Sequence, residues 1–140
     1  MDKTTVKLRG IYAEELINIV FKGKIIRTKG YDLVTSNGCR IEVKSRKMFT
    51  DGRIPRVTLN KSKMRYSNAI GVVQYNNDLE ESIAIGIVIP TKSLIPLYNQ
   101  YRQKNDVAHI PLHKIMCHPR TVDIKHRLIV AENHLESKIW

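Results

Sequence analysis

Residues 31–45 read YDLVTSNGCRIEVKS. Two β-rich runs, Tyr31 to Thr35 and Cys39 to Ser45, flank Ser36-Asn37-Gly38, a strong hairpin signal. A two-residue loop at Asn37-Gly38 would pair Ser36 with Cys39 and put Asp32 opposite Val43. It would also mix Asp32 and Ser36 with Val34, Cys39, Ile41 and Val43 on one face. A three-residue loop pairs Thr35 with Cys39 and sets Asp32 across from Glu42. One face then carries Leu33, Thr35, Cys39, Ile41 and Val43, and the other Asp32, Val34, Arg40, Glu42 and Lys44. Side chains alternate along a strand, so burial of one face selects this second register. Gly38 also falls where such a loop wants a left-handed residue. The sequence therefore predicts Asp32, Glu42 and Lys44 together on a polar face, apolar in and polar out.

Working outward, Ala13, Leu16, Ile17 and Val20 fall at helical spacing and predict a helix over 10–22 that stops at Gly23. Lys24 to Thr28 is a short strand candidate. Arg46 to Pro55, polar and with Gly52, reads as a loop, and 59–68 as a basic helix. Ile70 to Tyr75 and Ile83 to Ile89 are strands around a polar turn at Asn76-Asn77-Asp78. Thr91 to Gln103 is a second helix that starts near Ile95, because Pro96 suits a first helical turn. The partial alternation of Val122, Ile124, Leu128 and Val130 predicts a late strand. Helix, strands, helix, strands makes an α/β (α+β) protein with a mixed sheet flanked by helices.

The 140 residues suit one domain, with no repeat or linker to divide it. A core of about 9–100 and an extension over 105–140 are expected. No apolar run is long enough to span a membrane and the N-terminus does not look like a signal peptide, so no membrane partner is expected. Two cysteines do not make a disulfide scaffold, which favours a reducing, cytoplasmic setting. The formal charge is +11, from 24 Lys plus Arg and 13 Asp plus Glu. Residues 1–70 carry +10 of it, with 16 bases and 6 acids. Lys44, Arg46, Lys47, Arg53, Arg56, Lys61, Lys63 and Arg65 crowd one stretch against the single acid Asp51. That footprint suits a polyanion, nucleic acid before others.

Opposed acids on a sheet repel by a few tenths to about 1 kcal/mol, and a hard divalent cation would offset this. Two carboxylates, a metal and a lysine make a phosphodiester-cleaving site. The metal would hold a phosphate oxygen and acidify a water, while Lys44 orients that water and meets the growing charge. An ion-paired hairpin, with Lys44 and Arg40 neutralising the acids, is the plain structural alternative. His109, His113, Cys117 and His118 lack paired zinc-ligand spacing, and Pro111 breaks any shared helical face. Tyr66, Tyr75, Tyr98 and Tyr101 are scattered, which suits packing better than base stacking.

Gly30-Tyr31-Asp32-Leu33-Val34 followed by Arg40-Ile41-Glu42-Val43-Lys44-Ser45-Arg46 resembles the PD-(D/E)xK nuclease superfamily, notably archaeal Holliday-junction resolvases and small phage- and intron-type nucleases. Arg9-Gly10-Ile11-Tyr12-Ala13-Glu14 is similar to that group's Lys-Gly-x-x-x-Glu helix motif, with Arg for Lys. Tyr31 stands where the motif has Pro. Val72 to Tyr75 and Ile87 to Pro90 look like its later core strands. The resemblance implies a restriction-endonuclease-like αβββαβ core and Mg²⁺-dependent DNA cleavage, with Mn²⁺ as a substitute. It also implies duplex or branched DNA as partner, and often a homodimer. Asp32, Glu42 and the Val43 carbonyl would bind metal, Lys44 would assist the water, and Glu14, in preference to Glu15, would act through a water on the metal. Arg9, Arg46, Lys47, Arg53, Arg56, Lys61, Lys63 and Arg65 would grip the DNA backbone. A non-catalytic DNA-binding protein that keeps the fold is the alternative.

Overall fold

The hairpin takes the three-residue register. In the computed structural model, which describes residues 3–47, 55–76 and 82–139, strand β2 (Leu33–Val34) pairs antiparallel with β3 (Arg40–Lys47) as Leu33 with Ile41 and Val34 with Arg40. The Thr35 amide donates to the Cys39 carbonyl at 2.8 Å. Gly38 turns the chain at φ +88°, a left-handed conformation that a Cβ would strain. On the far edge of β2 lies β1 (Lys24–Ile25).

From β3 the sheet continues in parallel to β5 (Ala69–Tyr75) and then antiparallel to β6 (Ile83–Pro90) and β8 (Val122–Asp123). The order is β1-β2-β3-β5-β6-β8, with β3 and β5 at the centre. A separate antiparallel ribbon joins β4 (Arg56–Leu59) to β7 (Ala108–Pro111). The helices are α1 (Lys3–Phe21), α2 (Lys61–Tyr66), α3 (Ile95–Tyr101) behind a 3-10 turn at Thr91–Leu94, α4 (Leu112–Met116) and α5 (Lys125–Ile139). The protein is thus a mixed α/β structure with a mixed sheet between helices. The order α1, β1, β2, β3, α2, β5 runs through it with β4 interposed.

Alternation divides the sheet into two buried faces. Leu33, Ile41, Val43, Ala69 and Val73 pack under Ala13, Leu16 and Ile17 of α1 and Leu128 and Ala131 of α5. Gly71 lets α1 approach closely, since a Cβ there would lie 2.7 Å from Ile17 Cδ1. On the opposite face Ile70, Val72, Ile87 and Ile89 meet Val57 and Leu59 of β4, Ala108 and Ile110 of β7, and Leu94. Each fully buried aliphatic side chain contributes about 1.5–3 kcal/mol relative to exposure.

Several expectations change. The apolar-in, polar-out split fails at Glu42, which is 2% exposed, because the ribbon and its helices cover the polar face as well. The loop expected from Arg46 begins later, since β3 runs through Lys47; residues 48–54 and 77–81 lie outside the described residues. The basic helix shrinks to Lys61–Tyr66, because Val57 and Leu59 alternate into the second core as β4. The late strand is only Val122–Asp123. Ile124, Leu128 and Ala131 are all buried at helical spacing, and Leu135 packs beside them, so Leu128 and Val130 belong to α5. Residues 105–139 are therefore woven into both cores, as β7, α4, β8 and α5.

Candidate active site

Glu42, Lys44 and Arg46 alternate along β3 onto the face of the second core, aligned with Ile70, Val72 and Gln74 of β5. Strand β4 leads directly into α2, whose N-cap is Asn60: its side-chain oxygen accepts from the Lys63 amide at 3.0 Å. That cap sets the helix so that Lys63 Nζ donates to Glu42 Oε1 at 2.5 Å. Lys44 Nζ stands 3.9 Å from the same oxygen. The other oxygen, Oε2, is buried without a hydrogen-bond partner. Burial pushes the Glu42 carboxyl above its ordinary range; the Lys63 hydrogen bond opposes this and the Asp32 charge adds to it. Burial, reinforced by Lys63, brings the Lys44 ammonium down to about 8, with Glu42 pulling the other way.

Asp32 sits at a bend one residue before β2. Its amide donates to the Ile41 carbonyl at 2.9 Å, and its Oδ2 accepts the Val43 amide at 2.8 Å. An extended residue turns its N–H and C=O to the same edge, so the Val43 carbonyl faces the β2 edge of β3 as its amide does. From α1, Glu14 reaches the Asp32 carboxyl. Arg27 Nε donates to Glu14 Oε2 at 2.8 Å from a backbone with φ 57°. Burial first, and Asp32 second, raise the Glu14 carboxyl, while Arg27 lowers it.

The four residues expected to carry chemistry, Glu14, Asp32, Glu42 and Lys44, thus converge from α1, the hairpin and β3. Among the described residues, no three His, Cys, Asp or Glu side chains are already grouped to hold a metal ion. Glu14 is held by Arg27 and one Asp32 oxygen by Val43. What fits a hard divalent cation is a smaller set: the unpartnered Glu42 oxygen, the Asp32 carboxylate and the Val43 carbonyl. Mg²⁺ keeps several waters and needs only one or two carboxylates, so this donor set is chemically sufficient.

The expected DNA contacts separate by exposure. Arg56, Lys61 and Arg65 are exposed, and Lys47 is half-buried at the end of β3. Arg46 ties β3 to β4 through the Arg56 carbonyl (3.0 Å) and Thr58 Oγ1 (3.4 Å), and burial lowers its pKa. Arg9 is 8% exposed, which removes it from surface contact with a phosphate backbone. Lys63 faces Glu42, and Arg53 lies outside the described residues. His109 serves the ribbon, its Nδ1 2.8 Å from Thr58 Oγ1.

Lys63 was expected as a DNA contact, and two neighbouring residues were not singled out from the sequence at all. Lys63 was one base among many, and only the fold brings it to Glu42. Arg27 as the partner of Glu14 left no sequence signal. Gln74 did leave one, a lone amide inside an apolar strand: it is 1% exposed, aligned with Arg46, and its Oε1 lacks a hydrogen-bond partner. Among the described residues no helix is long and apolar enough to cross a membrane. No protein-family model and no curated protein matches the chain, so its functional reading rests on these residues.

Proposed function

We propose that the protein is a metal-dependent DNA endonuclease of the PD-(D/E)xK type, hydrolysing phosphodiester bonds at Asp32, Glu42 and Lys44. The observation that carries this reading is Glu42: a buried carboxylate with an unpartnered oxygen, beside Asp32 and between two lysines. Structural ion pairs rarely need a second acid at the same point, because opposed carboxylates repel.

Asp32, Glu42 and the Val43 carbonyl would hold Mg²⁺ or Mn²⁺. When bound, the cation supplies Lewis-acid polarisation of the phosphate and a more acidic water. Lys44 holds the attacking water and a phosphate oxygen, stabilising charge as it grows. The water oxygen bonds to phosphorus, the bond from phosphorus to one sugar oxygen breaks, and the water's proton ends on that leaving oxygen. Glu14 orients water from the helix side. Exposed Arg56, Lys61 and Arg65 hold the backbone. Cutting both strands of a duplex, or a symmetric junction, suits a two-fold homodimer.

A second reading has its own support. Lys63 sits on Glu42 at 2.5 Å, a cation already supplied by the chain, as a DNA-binding protein that keeps the fold without catalysis would require. Incubating the full-length protein with junction, duplex and flap DNAs in Mg²⁺ or Mn²⁺ separates the two. The nuclease reading expects nicked products that EDTA abolishes; salt-dependent binding with no product in either metal would favour the second.

A further inference from the structure

The site has an aromatic rim. Tyr75 and Tyr98 are 2% and 6% exposed, and Tyr101 packs against the second core. Tyr66, by contrast, is 43% exposed. It lies three residues past Lys63 on α2, and positions three apart are neighbours on a helix surface. Its side chain packs against Gly30, two residues before Asp32. A Cβ at Gly30 would lie 2.5 Å from Tyr66 Cβ, so only glycine permits this contact. Tyr66 is thereby fixed between the two elements that deliver Lys63 and Asp32.

The rim is also cationic and already ordered. Arg65 lies 5.3 Å from the Tyr66 ring centroid, and Arg40 lies 5.5 Å from that of Tyr31, next to Asp32. The Arg40 side chain is tethered to Asn68 Oδ1 at 3.3 Å. The 28–31 loop is closed on itself, with the Gly30 and Tyr31 amides donating to Thr28 Oγ1 at 3.3 and 3.2 Å. Flat aromatic surfaces paired with guanidinium groups match a ligand that combines planar rings with phosphates. An intact duplex keeps its base faces in its own stack, whereas an unpaired nucleotide offers them.

We infer that Tyr66, with Arg65 and the Tyr31–Arg40 pair, stacks unpaired bases beside the acidic site, so that the substrate is DNA with single-stranded nucleotides next to a duplex, such as a flap. This rests on the DNA reading above. The test is fluorescence titration of the full chain in EDTA, with a flap carrying 2-aminopurine in its single-stranded arm and a blunt duplex of equal charge. Wild type binds the flap more tightly and quenches the 2-aminopurine. Tyr66→Ala weakens flap binding about tenfold, loses the quench and leaves duplex binding unchanged, while Tyr66→Phe keeps wild-type behaviour. Equal affinity for the two DNAs, or a Tyr66→Ala variant that quenches normally, overturns the inference and leaves the DNA reading standing. Failure of wild type to bind either DNA overturns both.

Discussion

Glu42 concentrates the energetics of the site. Its carboxylate is almost fully buried, carries Lys63 on one oxygen and leaves the other unsatisfied. Removing Lys63 takes away its closest positive charge, so Lys63→Met should lose about 1–3 kcal/mol of stability in EDTA. Mg²⁺ should then raise the melting temperature of the variant more than that of wild type, because the ion replaces the lost charge. Equal Mg²⁺ shifts would argue that no cation reaches Glu42. Lys44 gives a pH signature. Its folded pKa of about 8 lies below the ordinary value of 10.5, so between these values the unfolded chain binds more protons. Its contribution to stability therefore rises with pH through that window and is constant below it. In metal-free buffer the urea midpoint of wild type should climb relative to Lys44→Met from pH 7.5 to 10; parallel profiles would contradict the buried ammonium.

Helix α2 is only six residues long, too short to be stable alone, so its cap and its contacts hold it. Asn60→Ala removes the bond to the Lys63 amide and should cost about 1 kcal/mol. It should also shift the amide resonances of Lys63 and Tyr66 while leaving those of α5 in place, which an NMR comparison of the two proteins would show. Legibility from the sequence differs element by element. The hairpin register was readable because one residue of slip would have put Asp32 among apolar side chains. Strand β4 was not, because Arg56-Val57-Thr58-Leu59 is brief, partly polar and stabilised by β7, about fifty residues further on. Ile124, Leu128 and Val130 deceived because 122–124 and 128–130 alternate locally. The repeat that wins is Ile124, Leu128, Ala131 and Leu135, which packs against β6 and α1 on one face of the sheet.

Seen whole, the protein buries both faces of its sheet, and the second buried face holds the polar row Glu42, Lys44 and Arg46. This explains why Glu14, Asp32 and Glu42 were legible as residues while their environment was not. Pattern placed Asp32 and Glu42 together, but only the long-range packing of β4 and α2 makes Glu42 a buried group with two lysine neighbours. The excess of positive charge in residues 1–70 divides by burial. Arg56, Lys61 and Arg65 remain exposed, where the proposed DNA contact would use them, while Lys44 and Lys63 are drawn inward to Glu42 and Arg46 to β4. On the proposed function, binding and chemistry would fall to different residues, which makes them separable by substitution. Asp32→Ala removes a carboxylate and leaves the surface bases untouched. In paired assays on one flap DNA, the account predicts that Asp32→Ala abolishes Mg²⁺-dependent cleavage, a loss of at least about 100-fold, with affinity within about threefold of wild type. Undiminished cleavage by Asp32→Ala would contradict it.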